Sequence, residues 1–165
     1  MAALETGKTA PAFSLPLMSG GNFSLAESLR RGPVVLAFFK ISCPVCQFAF
    51  PYLERIYQAA KGKNVTIVGI SQNSKEETAA FLREFGITFP IALDDPRHYP
   101  VSNAYGLTNV PTVFYLAKDG DIEISSVGWS KDDLEQIARK IGQQSPAGSF
   151  EFIRKNEDVP AFRAG

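Results

Sequence analysis

The pattern of hydrophobic and polar residues predicts strands that alternate with helices along most of the chain. Residues 33–40 (PVVLAFFK) and 65–71 (VTIVGIS) are continuous apolar runs, which are typical of strands buried on both faces. A shorter run, FPIALDD at 89–95, predicts a third strand. Strands in this order with helices between them indicate a parallel core sheet, covered by helices on both faces.

The spacing of apolar residues changes to a helical period after residue 43. Apolar residues there recur at steps of four and three, which predicts a helix from Pro44 to about Lys61. Pro51 lies inside this helix and is expected to kink it, because its ring clashes with the preceding turn. The predicted apolar stripe consists of Cys46, Phe50, Leu53, Tyr57 and Ala60.

Capping residues predict three further helices. In each case a serine is followed three positions later by an acidic residue, a spacing that favours hydrogen bonds at a helix start. A glycine near the end of each pattern is the expected stop. The capping pairs are Ser24 with Glu27, Ser74 with Glu77 and Ser130 with Asp133, and the glycines are Gly32, Gly86 and Gly142.

Two hairpins are predicted, one near each end of this alternating pattern. AFSLPLMSGGNFSL at 12–25 indicates two short extended pieces around the turn 19–22. In residues 112–128, two β-rich runs are joined at Asp119-Gly120, a strong signal for a hairpin that adds antiparallel strands. We therefore expect a single domain over residues 1–142 and a C-terminal tail over 143–165.

Composition and charge exclude several classes of partner. Seventeen basic residues balance seventeen acidic ones, so no net field favours nucleic acid or anionic lipid. No apolar run approaches the length of a membrane span, and the first residues lack the pattern of a secretory signal. The sequence thus predicts a cytoplasmic protein with no membrane or nucleic-acid partner, and it does not indicate an oligomeric state.

The only two cysteines, Cys43 and Cys46, lie where a buried strand is followed by a helix. Reaction sites collect at the carboxyl ends of strands in such sheets, and a helix start offers free N–H groups that favour a thiolate. Pro44 suits the first helical position, where its missing N–H costs nothing. Cys46 lies on the inward stripe, so we expect Cys43 to be exposed and Cys46 sheltered behind it.

This asymmetry is what disulfide exchange requires, and it predicts a redox dithiol. Two inert buried cysteines are the first alternative, because a free thiol packs like a small apolar group. A zinc site is the second, but it needs about four ligands, and the only histidine, His98, is far away in the sequence. We therefore expect no metal and no organic cofactor, with the redox equivalents held on the two sulfurs.

The sequence resembles the thioredoxin-like redoxins, in the branch that groups alkyl hydroperoxide reductase/thiol-specific antioxidant proteins with TlpA-like disulfide reductases. The resemblance extends from Lys8 to about Gly142, and it rests on GKTAPAFSLPLMSGGNFSL, the C-x-x-C motif, Pro51 and AYGLTNVPTVFYLAKDGDI, in this order. It implies a thioredoxin fold: a central mixed sheet flanked by helices, with an N-terminal β-hairpin extension and an inserted strand and helix. It also implies a disulfide oxidoreductase that acts on a disulfide or dithiol protein, or on a small thiol.

The resemblance implies two further residues of the site. In the family, the proline of the VPT block is cis and faces the C-x-x-C motif; here that residue is Pro111. The backbone of the preceding residue, here Val110, docks an extended stretch of substrate. The alternative is an ordinary trans proline at the start of an edge strand.

Three positions depart from the family pattern. Ser42 replaces the tryptophan before the first cysteine, and Ala37 and Ala49 replace the carboxylates that act as a base for the second cysteine in related proteins. We expect Lys40 to place positive potential near the thiolate of Cys43, although the alternative is that it points to solvent.

Two other functions remain open. A peroxidase of this family needs a Pro-x-x-x-(Thr/Ser)-x-x-Cys pattern, and neither cysteine satisfies it: the corresponding positions are Leu36 and Lys40 for Cys43, and Phe39 and Cys43 for Cys46. A non-catalytic binding module would use a groove around Pro111 and Trp129, although a lone tryptophan is more often a half-buried surface residue.

Overall fold

Nine strands and five helices form within residues 2–144, 148 and 150–165, the part of the chain that the computed structural model describes. In chain order the elements are β1 (Ser14–Pro16), β2 (Asn22–Ser24), α1 (Leu25–Arg31), β3 (Val34–Phe39), α2 (Pro44–Ala60), β4 (Thr66–Ser71), α3 (Lys75–Phe85), β5 (Ile91–Leu93), α4 (Pro100–Ala104), β6 (Thr112–Leu116), β7 (Ile122–Val127), β8 (Trp129–Ser130), α5 (Lys131–Gly142) and β9 (Phe162–Arg163).

The central sheet is mixed, as the sequence predicted. Its strand order is β5-β4-β3-β6-β7, in which β3, β4 and β5 are parallel and β6 and β7 are antiparallel to their neighbours. Strand β3 is central, and its Ala37 pairs with Gly69 on one side and Val113 on the other. The predicted hairpin turn at Asp119-Gly120 joins β6 to β7, and Gly120 has a φ of 93°, which favours glycine.

Strand β3 lies between two apolar clusters, because successive side chains point to opposite faces of a sheet. Val35, Ala37 and Phe39 belong to one cluster, and Val34, Leu36 and Phe38 to the other. All six side chains are at most 1% exposed. Full burial of a Val, Leu or Phe side chain contributes about 1.5–3 kcal/mol, so β3 is held firmly from both faces.

The helices start where the capping residues predicted. Ser24, Ser74 and Ser130 each accept a hydrogen bond from the backbone N–H three residues later. The reciprocal bond of a full capping box forms at Ser74, whose N–H donates to Glu77. Helix α2 continues through Pro51 to Ala60, while the predicted kink angle stays a prediction.

Two elements are added to the central sheet: the N-terminal hairpin beside β5, and the helix α4 between β5 and β6 in the chain. Strands β1 and β2 form the predicted N-terminal hairpin, and a bridge from Leu17 to Ala92 connects it to β5. Between β5 and β6, the carboxylate of Asp94 accepts from the N–H groups of Val101 and Ser102 and caps α4. The fold class expected from the sequence is thus confirmed.

The C-terminal segment, which we define as residues 150–165, packs against the domain. Phe152 is only 5% exposed and belongs to the cluster beneath α2 and α5. Strand β9 in this segment pairs with β8, an element that the sequence pattern did not predict. Of the predicted tail, residues 145–147 and 149 lie outside the described residues.

Within the described ranges, we find no helix that combines the length and apolarity needed to cross a bilayer.

Candidate active site

The two cysteines lie at the start of α2, directly behind the carboxyl end of β3. Cys43 is the N-cap of the helix, and its sulfur accepts a hydrogen bond of 3.2 Å from the backbone N–H of Cys46. Cys43 is partly exposed, whereas Cys46 is completely buried, and both are free thiols. Pro44 occupies the first turn of α2, as its lack of an N–H favours.

The loop before Cys43 is held by hydrogen bonds from two neighbouring elements. The N–H of Ile41 donates to the side-chain oxygen of Asn73 at 2.9 Å, and the side chain of Gln47 donates to the carbonyl of Ile41 at 2.9 Å. The N–H of Cys43 donates to the carbonyl of Lys40 at 3.2 Å. These contacts hold the backbone of the loop that carries Cys43.

Gln47 and Asn73 were not among the residues predicted for the site. Gln47 lies four positions after Cys43 on the same helix, which is a local signal that a sequence reading could use. Asn73 follows β4, the strand parallel to β3, and only the shared sheet edge brings it close.

The surroundings of Cys46 are apolar. Burial raises the pKa of the Cys46 thiol far above its ordinary value. Ala37 and Ala49, at the two positions where relatives of this fold carry a carboxylate, belong to the same apolar cluster as Cys46. Cys46 is therefore protonated at neutral pH, and its proton must leave before it can act as a nucleophile.

A second chain segment, at the start of β6, faces the sulfur of Cys43. The Val110–Pro111 peptide bond is cis, as the resemblance implied. The thiol of Cys43 donates a hydrogen bond of 3.3 Å to the carbonyl oxygen of Val110. The carbonyl of Asn109 accepts from the hydroxyl of Thr112 at 2.8 Å, which holds the turn. The structure therefore places Val110 and Pro111 beside Cys43, while their role in docking substrate stays a prediction.

Lys40 begins the loop, directly after β3, and is partly exposed. Its ammonium lies 6.0 Å from the centre of the Tyr99 ring, within the range of a cation–π contact. Both residues line a cavity of about 220 Å³ together with Val110. Lys40 thus belongs to the surroundings of the site, and its effect on the charge of Cys43 stays a prediction.

Trp129 does not line an open groove, and the expectation of a half-buried surface tryptophan was wrong. Its side chain is completely buried, and its indole N–H donates to the carbonyl of Pro160 at 2.7 Å. The rings of Phe48 and Tyr52 lie 4.9 Å and 5.2 Å from it. The reason is the C-terminal segment, which covers the indole and satisfies its only polar atom.

His98 does not join Cys43 and Cys46 in the ligand cluster that the zinc alternative would need. Among the residues described, no three His, Cys, Asp or Glu side chains lie close enough to hold a metal ion. His98 is exposed in the turn before α4. The arrangement at the start of α2 is therefore that of a dithiol, with one reachable sulfur and one buried sulfur.

Comparison with known proteins agrees with this geometry. The model of the AhpC/TSA family matches residues 6–125. Thiol-disulfide oxidoreductase ResA from Geobacillus kaustophilus is 32% identical over 141 residues, which cover 84% of this chain and 79% of that protein. ResA from Bacillus anthracis is 29% identical over 140 residues, covering 84% of this chain and 79% of its own.

Solved structures show the same fold. The thioredoxin domain of a thiol-disulfide oxidoreductase from Bacteroides vulgatus has a TM-score of 0.74 and 26% identity, over 84% of this chain and 98% of that one. A thiol:disulfide interchange protein of the thioredoxin family from Chlorobium tepidum has a TM-score of 0.68 and 26% identity, over 84% of this chain and 99% of its own.

Proposed function

The chain belongs to the AhpC/TSA family, and from this premise we propose that it is a thiol–disulfide oxidoreductase with Cys43 as nucleophile and Cys46 as resolving thiol. The observation that carries the proposal is the pairing of a partly exposed Cys43 with a fully buried Cys46, whose N–H donates to the Cys43 sulfur. This N–H stabilises negative charge on the attacking sulfur, and the order of exposure decides which thiol meets the substrate first.

The proposed reaction has two exchange steps. The thiolate of Cys43 attacks one sulfur of a substrate disulfide, so that a Cys43–substrate bond forms and the substrate S–S bond breaks. The first substrate thiolate leaves and takes up a proton. Cys46, once deprotonated, attacks the sulfur of Cys43, forms the Cys43–Cys46 disulfide and expels the second substrate thiolate. The substrate thereby gains two electrons and two protons, which the dithiol loses.

The reverse sequence returns the chain to its dithiol form. A dithiol protein or a small thiol supplies the two electrons, and no organic cofactor or metal takes part, since the sulfurs hold the redox equivalents. We propose that Val110 and Pro111 form the edge where an extended polypeptide substrate docks, because this edge lies 3.3 Å from the Cys43 sulfur. A cytoplasmic location is part of the same proposal.

The test is to mix the reduced chain with a disulfide-containing protein and to count free thiols on both partners over time. We expect the wild-type chain to lose both of its thiols for each substrate disulfide that it reduces. Cys46→Ser should stop at a mixed disulfide on Cys43, which a mass spectrum identifies, and Cys43→Ser should not react.

The same samples distinguish the peroxidase alternative. If the wild-type chain consumes hydrogen peroxide much faster than it reduces disulfides, the oxidoreductase proposal is wrong. Full activity in Cys43→Ser would contradict the assigned roles even if disulfides are reduced.

A further inference from the structure

Residues 162–165 extend from a pairing with β8 to the edge that we propose for substrate docking. Strand β9 is antiparallel to β8, with Phe162 opposite Ser130 and Arg163 opposite Trp129. The N–H of Lys131 donates to the carbonyl of Ala161 at 2.9 Å and extends this pairing by one bond. Residues 162–163 are thus an extended stretch, held by backbone bonds to β8, and residues 164–165 continue from it towards the candidate active site.

This peptide reaches the carbonyl group that the Cys43 thiol contacts. The side-chain amide of Asn109 donates to the carbonyl oxygen of Gly165 at 3.1 Å. A β-carbon at position 165 would collide with the carbonyl oxygen of Val110 and would lie 3.3 Å from the nitrogen of Pro111. Gly165 and Cys43 therefore approach the same backbone oxygen, that of Val110.

The fit of the peptide is close along its other side as well. A β-carbon at Gly128 would collide with the carbonyl oxygen of Arg163 and would lie 3.2 Å from the nitrogen of Gly165. The guanidinium of Arg163 lies over the ring of Phe48, 5.0 Å from its centre. Glycines at positions 128 and 165 let two backbones approach at distances that a side chain would prevent.

The anchors of the C-terminal segment lie upstream of this peptide. Arg55 of α2 forms a two-bond ion pair with Glu157, at 2.6 Å and 2.9 Å, and the indole N–H of Trp129 donates to Pro160. Residues 162–165 follow these anchors in the sequence and are exposed. The peptide can therefore lift from the edge while the anchors keep it nearby.

We propose that residues 162–165 are an internal competitor for polypeptide substrates, so that an extended polypeptide must displace them before its sulfur reaches Cys43. This inference rests on the proposed function and names the substrate class that it affects. A tethered peptide has a high effective concentration, and it reduces the apparent affinity of a competing chain to the fraction of its full value that equals the fraction of time the edge is free. A small disulfide reaches the partly exposed Cys43 without moving the peptide.

The first test is kinetic and compares a deletion of residues 162–165 with the full chain. We expect the deletion to lower the KM for a polypeptide disulfide by about threefold or more, with kcat unchanged. The KM for a small disulfide should stay the same. Gly165→Val should act in the same direction as the deletion, because its side chain collides with Val110.

Phe162→Ser is the matched control, because its ring is 60% exposed and its backbone pairing with Ser130 is kept. It should behave like the full chain. An unchanged KM for the polypeptide in both the deletion and Gly165→Val, or an equal change for the small disulfide, would overturn the proposal. If no variant reduces either substrate, the proposed function has failed. The second test still shows whether residues 162–165 compete with a polypeptide for the edge.

The second test does not require turnover. Cys43 of Cys46→Ser is joined chemically, in one sample to a cysteine-containing peptide and in another to 2-mercaptoethanol, and the backbone amide signals are recorded by NMR. We expect the signals of Arg163 and Gly165 to move to positions of an unpaired segment in the peptide adduct only. Unchanged signals in the peptide adduct would show that the two chains do not compete.

Discussion

The thiol of Cys43 donates a hydrogen bond to the carbonyl oxygen of Val110, although the two residues are 67 positions apart in the sequence. The bond joins the start of α2 to the turn before β6, and β3 and β6 are neighbours in the sheet. The reactive sulfur and the proposed docking edge are therefore positioned by the same pair of strands. A polypeptide that pairs with this edge, after displacing residues 162–165, would carry its sulfur to Cys43 without a further movement of the sheet.

The difference in exposure between the two thiols predicts selective alkylation. With the folded, reduced chain at pH 7.5, we expect iodoacetamide to modify Cys43 and to leave Cys46 unmodified, because Cys46 is buried and its raised pKa keeps it protonated. Peptide mass mapping measures the two yields. In urea both cysteines should react, and equal labelling in the folded chain would contradict the described burial.

The raised pKa of Cys46 predicts a resolving step that depends steeply on pH. Below its pKa the thiolate fraction rises roughly tenfold per pH unit, so release of substrate from a mixed disulfide on Cys43 should accelerate by about a hundredfold between pH 7 and pH 9. Stopped-flow single-turnover traces measure this step. A rate independent of pH over this range would mean that another group removes the proton within the site.

Lys40 is predicted to support the thiolate of Cys43 through its positive charge. If it does, Lys40→Met should slow the reaction of Cys43 with the neutral reagent iodoacetamide by about two- to tenfold at low ionic strength. Lys40→Arg keeps the charge and should remain near the wild-type rate. The difference should shrink in 1 M salt, since the Debye length then falls to about 3 Å. Equal rates for Lys40→Met and the wild type at low salt would show that Lys40 points to solvent and does not support the thiolate.

The ion pair between Arg55 and Glu157 predicts that attachment of the C-terminal segment depends on pH. The guanidinium lowers the pKa of Glu157 from 4.5 to about 2, so the stabilising charge is present above about pH 4.5 and is lost as the pH falls towards 2. Glu157→Gln should lower the urea midpoint of the fluorescence of Trp129, the only tryptophan, at pH 7.

This difference from the wild type should diminish as the pH falls below 4.5. Glu135→Gln is the control, because its pairing with Lys131 spans 4.0 Å between exposed side chains and should contribute little. A Glu157→Gln effect that is the same at pH 7 and pH 3 would show that charge is not the cause.

Phe50 connects α2 to the rest of the core, and its truncation should strongly destabilise the fold. Its ring lies 4.3 Å from Phe39, 5.7 Å from Phe81 and 5.6 Å from Phe89. Phe50→Ala should lower the free energy of unfolding by about 3–5 kcal/mol, measured by urea denaturation. Phe162→Ala, at the ring that is 60% exposed, should change it by about 0.5 kcal/mol or less. Similar losses in both variants would contradict the described packing.

Much of the fold could be predicted because its signals are local. The continuous apolar run of β3, the serine caps and the turn at Asp119-Gly120 depend on neighbours within a few positions. The dithiol was recognisable for the same reason, since a strand end and a helix start meet at Cys43. The positions of Val110 and Pro111 came from the resemblance, because no local pattern relates them to a cysteine so far away in the chain.

The C-terminal segment could not be predicted in the same way. Strand β9 has two residues and no periodicity, and its pairing with β8 depends on a partner more than thirty positions away. The burial of Trp129 follows from that pairing and from the carbonyl of Pro160, so the sequence around the indole could not reveal it. Asn73 likewise joins the site only through the register of two parallel strands.

The burial of both faces of β3 has a consequence for how the protein unfolds and loses its activity. Because both faces of this strand are buried in separate clusters, its amide protons should exchange with solvent only when the whole sheet opens. Cys43 follows this strand by four residues, so its placement shares the cooperativity of the sheet. The placement that lets Cys43 react ahead of Cys46 is therefore lost together with the fold, in one event.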